Sequence, residues 1–156
     1  MAHKIIGIDV GLNSTGYAIL SQGKLQNFGT ITPEKDLSFP DKLSYIYKKI
    51  KKITKEHSPE IASLETLFYD RHPKSFIKIA QVRGVIALAL NESGVKISEF
   101  TPSEIKRAIT GNGRATKDQV NYMLGHILES EIPKNIHVSD AIACAVCYSL
   151  RSHEIL

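Results

Sequence analysis

Two acidic residues stand where short apolar segments end, and a third stands where a long one begins. Asp9 and Glu65 each follow four mostly apolar residues, and Asp140 opens an apolar segment near the end of the chain. A carboxylate beside so much apolar surface needs a counter-charge, hydrogen bonds or a metal ion. Three converging carboxylates make an oxygen-rich site for a divalent cation, and such sites catalyse phosphoryl transfer.

A histidine accompanies the third acid. His137 precedes Asp140 by three residues, so both side chains can share one face of a first helical turn. Imidazole is a poor ligand for Mg²⁺ and a better one for Mn²⁺. A neutral imidazole can instead position or deprotonate an attacking water. A structural histidine that contacts the backbone at a helix start is the remaining alternative, and all three roles stay open.

The size and composition are those of one globular domain. The chain has 156 residues, of which 42% are hydrophobic and 23% charged, so we expect a single domain over 1–156. It contains no run of eighteen apolar residues and no signal-peptide layout at its start, which predicts a cytoplasmic protein without a membrane span. The net charge of +4 permits a polyanionic partner without requiring one.

The two cysteines, Cys144 and Cys147, are spaced as Cys-x-x-Cys. This spacing occurs in redox and zinc sites, but a zinc site needs about two more such ligands nearby. The pair lies in a predicted apolar helix, where buried thiols behave as small hydrophobic groups. We therefore expect both to pack in the core.

The periodicity of apolar residues predicts the elements. Strands are predicted at 4–10, 17–21, 25–31, 60–66 and 95–100, with a turn over 11–16. Helices are predicted at 41–56, 75–92, 102–110, from 117 to before 133, and at 138–150. The helix at 75–92 is apolar on nearly every face, so it must bury a second side, which we interpret as a subunit interface.

This order predicts how the acids meet. A hairpin followed by βαβ units implies an α/β fold with a mixed five-stranded sheet and helices on both faces. Crossover geometry then puts the ends of the first and fourth strands side by side. Asp9 and Glu65 should be neighbours at one edge of the sheet, where α/β proteins usually bind ligands.

Further motifs are spread along the chain. They are Gly7–Gly11, Thr15–Tyr17, Glu65 with Phe68, Gln81–Val85, Gly111–Gly113 with Ala115 and Lys117, and Asp140–Ala141. Taken together, this set resembles the RuvC family of bacterial Holliday junction resolvases. The likeness covers nearly the whole chain.

The resemblance implies a ribonuclease H-like fold and a homodimer that nicks two opposed strands of a four-way DNA junction. It implies two Mg²⁺ ions per active site, with Mn²⁺ as a substitute, and 5′-phosphate and 3′-hydroxyl ends. The branch-migration proteins RuvA and RuvB are the implied partners. By motif match, Asp9, Glu65 and Asp140 are metal ligands. Many relatives have aspartate where this chain has His137, and some have histidine, so this difference is compatible with activity.

Two loops carry candidates for DNA contact. Phe68 follows Glu65 by three residues, and an exposed aromatic ring there can stack on a base at the junction centre, unless it anchors the loop in the core. The other candidates in this loop are Tyr69, Arg71, His72 and Lys74. By family match, Lys106 and Lys117 lie near the scissile phosphate. Arg114 between them is expected to hold the DNA backbone.

Three other functions share parts of this pattern. Asp9, Gly11 and the turn at Thr15 resemble the first phosphate loop of the actin and sugar-kinase superfamily, but those proteins need a second domain, for which this chain is too short. A junction-binding module without catalysis is an alternative because of His137. A generic ribonuclease H is the third, and the predicted subunit interface opposes it.

Overall fold

The computed structural model describes residues 2–68 and 72–152. Within these residues, five strands form one sheet and five helices pack around it. The strands are β1 (Ile5–Asp9), β2 (Thr15–Ser21), β3 (Lys24–Ile31), β4 (Ile61–Glu65) and β5 (Lys96–Phe100). The helices are α1 (Phe39–His57), α2 (Pro73–Glu92), α3 (Pro102–Thr110), α4 (Lys117–Leu128) and α5 (Ile136–Ser152). The predicted α/β class and element order are confirmed.

The sheet has the strand order β3-β2-β1-β4-β5. β1 runs antiparallel to β2 and parallel to β4, and β4 runs parallel to β5. Ile8 of β1 lies opposite Leu64 of β4. The predicted mixed sheet, and the predicted adjacency of the ends of the first and fourth strands, are therefore confirmed.

The predicted turn over 11–16 is too long. Thr15 and Gly16 belong to β2, because Gly16 lies opposite Asp9 in the ladder with β1 and Thr15 lies opposite Ile31 of β3. Glycine and threonine after a glycine-led turn look like loop residues, and only pairing with neighbouring strands assigns them to the sheet. The last helix also begins two residues earlier than predicted, so that His137 lies inside its first turn.

Alternation along the strands builds one core on each face of the sheet. Ile5 and Ile61 belong to the core that α3, α4 and α5 cover. Ile6 and Leu64 belong to the core that α1 and α2 cover. Helices therefore lie on both faces, as predicted.

α5 is the most deeply covered helix, with every residue from 138 to 147 except Asp140 buried. Cys144 and Cys147 are free thiols within this buried segment, which confirms the predicted core packing. Burial raises the pKa of the Cys144 thiol well above its ordinary value, because a thiolate there would lose its hydration. Although α5 is apolar and deeply buried, no helix in the described part of the chain is long and apolar enough to cross a membrane.

α2 begins at Pro73, where proline suits a first helical position because its missing N–H would have no helical partner. Its buried residues are Val82, Ile86, Ala89 and Leu90. Ile77 and Leu88 are 58% and 52% exposed on another side of the helix. The predicted second apolar side of this helix is therefore present and lies on the surface of the chain.

Candidate active site

Two neighbouring strand ends bring Asp9 and Glu65 to one edge and one face of the sheet. Asp9 ends β1 and Glu65 ends β4. Asp9 lies four residues after Ile5, and Glu65 lies four residues after Ile61. Both isoleucines belong to the core that α3, α4 and α5 cover. Because strand side chains alternate between faces, residues an even number apart share a face. Both carboxylates therefore stand on the face of the sheet that α5 covers.

Two glycines let α5 lie directly on the strands. A Cβ built on Gly7 of β1 would clash with the backbone carbonyl of Ala141 and lie 2.8 Å from the backbone nitrogen of Ala145. A Cβ built on Gly16 of β2 would clash with the backbone carbonyl of His137. Any larger residue at either glycine would push the helix away. The glycines therefore set the height of the first turns of α5 above the strand ends.

A buried hydrogen bond also joins α5 to β4. The Ser63 hydroxyl donates to the backbone carbonyl of Cys144 at 2.6 Å, and Ser63 is fully buried. Ser63 lies two residues before Glu65, and Cys144 lies one turn after Asp140. The bond therefore ties the two elements that carry these acids. Sequence reasoning missed Ser63, although a hydroxyl in the middle of an apolar strand was the available signal.

The structure brings His137 and Asp9 into direct contact. The Nδ1 atom of His137 lies 2.8 Å from Oδ2 of Asp9. Asp140, one turn further along α5, forms an ion pair with Lys117 of α4, whose Nζ lies 2.9 Å from Oδ1 and 3.0 Å from Oδ2. Four predicted site residues are therefore joined in two pairs, His137 with Asp9 and Asp140 with Lys117. They lie at the edge of the sheet where β1 and β4 end, which we call the acidic edge.

Burial and neighbouring negative charges raise the pKa values of Asp9 and Glu65. Burial is the largest cause that raises the pKa of Asp9, and the charge of Asp140 adds to it, while the hydrogen bond from His137 acts in the opposite direction. The pKa of Glu65 is raised first by burial and then by the charges of Asp9 and Asp140. Lys106 opposes this last shift. The edge thus concentrates negative charge that favours a cation or a proton.

The donor chemistry fits a hard divalent cation. Asp9, Glu65 and Asp140 supply carboxylate oxygens, the atoms that Mg²⁺ and Mn²⁺ accept. Among the described residues, however, no group of three or more His, Cys, Asp or Glu side chains is gathered into a ready coordination shell. Asp9 is engaged by His137 and Asp140 by Lys117. The side chains that carry these oxygens must therefore move before the oxygens can surround one ion.

A cavity of about 310 Å³ opens beside the acids, between β4 and the helices α3, α4 and α5. Its charged lining consists of Glu65, Lys106, Lys117 and Asp140. Its other lining residues are Pro102, Ile105, Val120, Asn121 and Ala143. Two lysines beside two carboxylates suit a phosphate group that approaches a cation, because lysines attract a phosphate and carboxylates can hold a divalent cation.

The remaining DNA-binding candidates lie around this edge or outside the described residues. Phe68 is 59% exposed three residues after Glu65, so its ring does not anchor the loop in the core. His72 and Lys74, at the start of α2, are exposed, and so is Arg114 between α3 and α4. The loop that carries Arg114 is ordered by the side chain of Asn112, which accepts the Arg114 backbone N–H at 2.9 Å. The predictions for Tyr69 and Arg71 fall outside the described residues.

Comparisons with known proteins agree on one family. A family model described as crossover junction endodeoxyribonuclease RuvC matches residues 5–148. The protein of that name from Wolbachia pipientis wMel is 36% identical over 151 residues, which cover 94% of this chain and 93% of that protein. The one from Caldanaerobacter subterraneus subsp. tengcongensis is 39% identical over 150 residues, which cover 93% and 91%.

A solved structure shares the fold. The structure of Thermus thermophilus RuvC in complex with a Holliday junction substrate superposes with a TM-score of 0.91, over 97% of this chain and 96% of that one. The sequence identity of this pair is 23%. The likeness confirms the predicted ribonuclease H-like α/β architecture.

Proposed function

This chain belongs to the RuvC family of crossover junction endodeoxyribonucleases, and from that premise we propose that it resolves Holliday junctions during homologous recombination and DNA repair. It makes paired, symmetric nicks in four-way DNA junctions by hydrolysing phosphodiester bonds, and leaves 5′-phosphate and 3′-hydroxyl ends. The observation that supports this most directly is the cluster of Asp9, Glu65, His137 and Asp140 at the edge where β1 and β4 end.

Family membership implies a divalent-metal requirement, and we propose that Asp9, Glu65 and Asp140 bind two Mg²⁺ ions, for which Mn²⁺ can substitute. When bound, such ions lower the pKa of an attacking water and stabilise the leaving 3′ oxygen. His137 holds Oδ2 of Asp9, which fixes the carboxylate and leaves Oδ1 for a cation. Its imidazole is then placed to act as a further ligand, or as the base that accepts a proton from water.

The first experiment compares a synthetic four-way junction with linear duplex and with an RNA–DNA hybrid. Each substrate is incubated with Mg²⁺, Mn²⁺ or EDTA, and the products of junction cleavage are tested with ligase. Metal-dependent, ligatable nicks at symmetric positions in the junction alone are expected. Cleavage of the hybrid would identify a ribonuclease H instead, and tight junction binding without cleavage in either metal would identify a binding module.

Lys117 is expected to hold the scissile phosphate. Replacing it with alanine should lower the slope of log affinity against log salt by about 0.9, because one phosphate contact is lost. Cleavage should fall on the order of a hundredfold, since a charged donor near the reacting oxygens is removed. The assay is junction binding in EDTA across a salt series, followed by single-turnover cleavage.

Lys52→Ala is the matched control, because Lys52 lies on α1 with its side chain 66% exposed and an ion pair only to Glu56 in the described structure. A salt slope that stays at the parent value in Lys117→Ala would show that this lysine does not touch the DNA backbone.

We also propose a homodimer, supported by a surface stripe on α2. The stripe consists of Ile77, Gln81, Gly84, Leu88 and Asn91, which are all exposed and follow one another at intervals of four, three, four and three residues. Residues at alternating intervals of three and four lie along one line of a helix, and two helices can pair along such a line. Gly84 lies at its centre, where an added Cβ would meet nothing within 4 Å. A helix from a second copy can therefore approach the backbone closely, and a two-fold dimer would present two acidic edges for paired cuts.

Leu88→Lys should turn the dimer into a monomer, because it replaces one of the two large apolar side chains of this stripe with a charge. Sedimentation velocity at micromolar concentration measures the change, and the paired nicks should be lost with it. Phe28→Lys on the edge strand β3 is the matched control, since Phe28 is also an exposed apolar residue, at 46%. Dimers that persist in Leu88→Lys would place the interface elsewhere.

Two further parts of the proposal follow from the family. The chain is proposed to act in the cytoplasm, alongside the branch-migration proteins RuvA and RuvB. Junction cleavage measured with and without these proteins tests the partnership, and rates that are identical in both conditions would oppose it.

A further inference from the structure

Arg83 of α2 reaches across to the ends of two strands at the acidic edge. Its Nη1 donates to the backbone carbonyl of Glu65 at 2.9 Å. Its Nη2 donates to Oε1 of Glu99, on β5, at 2.7 Å. The Arg83 side chain is only 15% exposed, although the carboxylate that it contacts is half exposed. One guanidinium therefore bridges α2, β4 and β5.

The carbonyl that Arg83 holds belongs to the last residue of β4. Glu65 lies opposite Phe100 of β5, and the next residue, Thr66, still donates its backbone N–H to Phe100 at 2.9 Å. Beyond this point the chain leaves the sheet for the loop that leads to α2. The orientation of the final peptide group of β4 governs where the Glu65 side chain points. Arg83 is the side chain that holds this peptide group from the helix side.

Arginine suits this task better than lysine. Its planar guanidinium presents two donors in a fixed fork, so it bonds a carbonyl and a carboxylate at once. Glu99 supplies the charge that keeps the guanidinium in place. The ion pair and the low exposure of Arg83 also make it a poor contact for DNA phosphates, which separates it from the exposed basic residues Lys74 and Arg114.

We propose that Arg83 is a positioning residue that orients Glu65 for metal binding, with Glu99 as its anchor. This inference rests on the proposed function in one respect, which is that Glu65 is a metal ligand. Arg83 also precedes Gly84 of the α2 stripe, so the helix proposed to pair the two copies is also the helix that bonds the backbone carbonyl of Glu65. The positive charge of Arg83 also supports an ionised Glu65 that can bind a metal, because it partly opposes the repulsion that Asp9 and Asp140 exert on Glu65.

The test measures metal binding without DNA. Mn²⁺ is titrated into the full-length protein and free Mn²⁺ is followed by electron paramagnetic resonance, for the parent and for Arg83→Gln, Arg83→Lys and Glu99→Gln. Loss of a residue that orients a metal ligand costs about 10- to 100-fold in affinity, so Arg83→Gln should weaken Mn²⁺ binding by about tenfold or more. Arg83→Lys should fall between the parent and Arg83→Gln, and Glu99→Gln should weaken binding in the same direction.

Two further measurements separate positioning from other roles. Junction affinity in EDTA should stay within about twofold of the parent in Arg83→Gln, whereas the metal concentration that gives half-maximal cleavage should rise about tenfold. The double variant Arg83→Gln/Glu99→Gln should be no worse than Arg83→Gln alone, because both changes break one linked unit. Lys52→Gln removes an exposed positive charge from α1 and controls for net charge.

Several outcomes would overturn the inference. One is parental Mn²⁺ affinity in Arg83→Gln, and another is a loss of junction affinity in EDTA as large as the loss of cleavage, which would make Arg83 a DNA contact. If Arg83→Gln fails to fold or dissociates in sedimentation, Arg83→Lys and Glu99→Gln decide the matter, and parental Mn²⁺ affinity in both would refute it. If the parent protein binds Mn²⁺ but cuts no junction, the proposed function is wrong. The difference in Mn²⁺ affinity between the parent and the Arg83 and Glu99 variants would still test the positioning role of Arg83.

Discussion

Asp9→Asn is expected to abolish junction cleavage while it leaves junction binding intact and makes the protein more stable at neutral pH. Asp9 lies at the centre of the acidic edge, bonded to His137 and electrostatically coupled to Asp140. An amide cannot hold a divalent cation as a carboxylate does. A bound metal contributes several kcal/mol of transition-state stabilisation, and each 1.36 kcal/mol is tenfold in rate. The loss should therefore be on the order of a thousandfold or more.

The stability gain follows from the raised pKa of Asp9. In the unfolded chain this carboxyl titrates near its ordinary value of 3.8, and in the folded protein burial raises its pKa above that value. Between the two pKa values the folded state binds more protons, so the stability of the parent falls as pH rises through this window. Above the raised pKa the full cost of the buried charge is present. Asparagine removes that cost, so the variant is more stable than the parent above the raised pKa, and the gain disappears as pH falls toward 3.8.

Urea unfolding in EDTA at pH 7 and at pH 4, with parallel cleavage assays, measures both halves of this prediction. Glu131→Gln is the control, because Glu131 is an exposed acid outside the site. An Asp9→Asn variant that is less stable than the parent at pH 7 would contradict the electrostatic account of the edge, whatever its activity.

Gly7→Ala is expected to destabilise the fold and to impair cleavage together. The new Cβ would clash with the backbone carbonyl of Ala141 and lie 2.9 Å from the Ala145 Cβ, so α5 as a whole must move. Overpacking of this kind costs about 1–3 kcal/mol, and sometimes more. A displacement of about 1 Å at a catalytic site can cost about a hundredfold in rate, and α5 carries both His137 and Asp140.

Gly125→Ala on α4 is the matched control. Its added Cβ would meet only an ordinary contact, 3.5 Å from the Ser130 carbonyl, and alanine within a helix stabilises by about 0.5–1 kcal/mol relative to glycine. Urea unfolding should therefore shift in opposite directions for the two variants, and cleavage of folded protein should fall only in Gly7→Ala. Parental stability in Gly7→Ala would mean that α5 does not lie directly on β1.

Much of the fold was predictable because its signals are local. Apolar segments of strand length and the proline and threonine caps of the helices identify elements without any knowledge of their packing. The rule for crossover connections then orders the strands, which is why the adjacency of Asp9 and Glu65 was predicted. The error at Thr15 and Gly16 has the opposite cause. Their assignment depends on pairing with Ile31 and Asp9 across the sheet, and their own neighbours in sequence indicate a turn.

The sequence by itself determined the chemical types at the site, the edge of the sheet at which Asp9 and Glu65 meet, and the helix face that His137 and Asp140 share. The crossover rule places Asp9 beside Glu65, and the spacing of three residues places His137 beside Asp140. Only the tertiary structure decided their partners. His137 bonds to Asp9 across 128 residues of sequence, Lys117 pairs with Asp140, and Arg83 holds the carbonyl of Glu65. Such contacts depend on how closely two elements pack, and a local pattern of residues carries no measure of that distance.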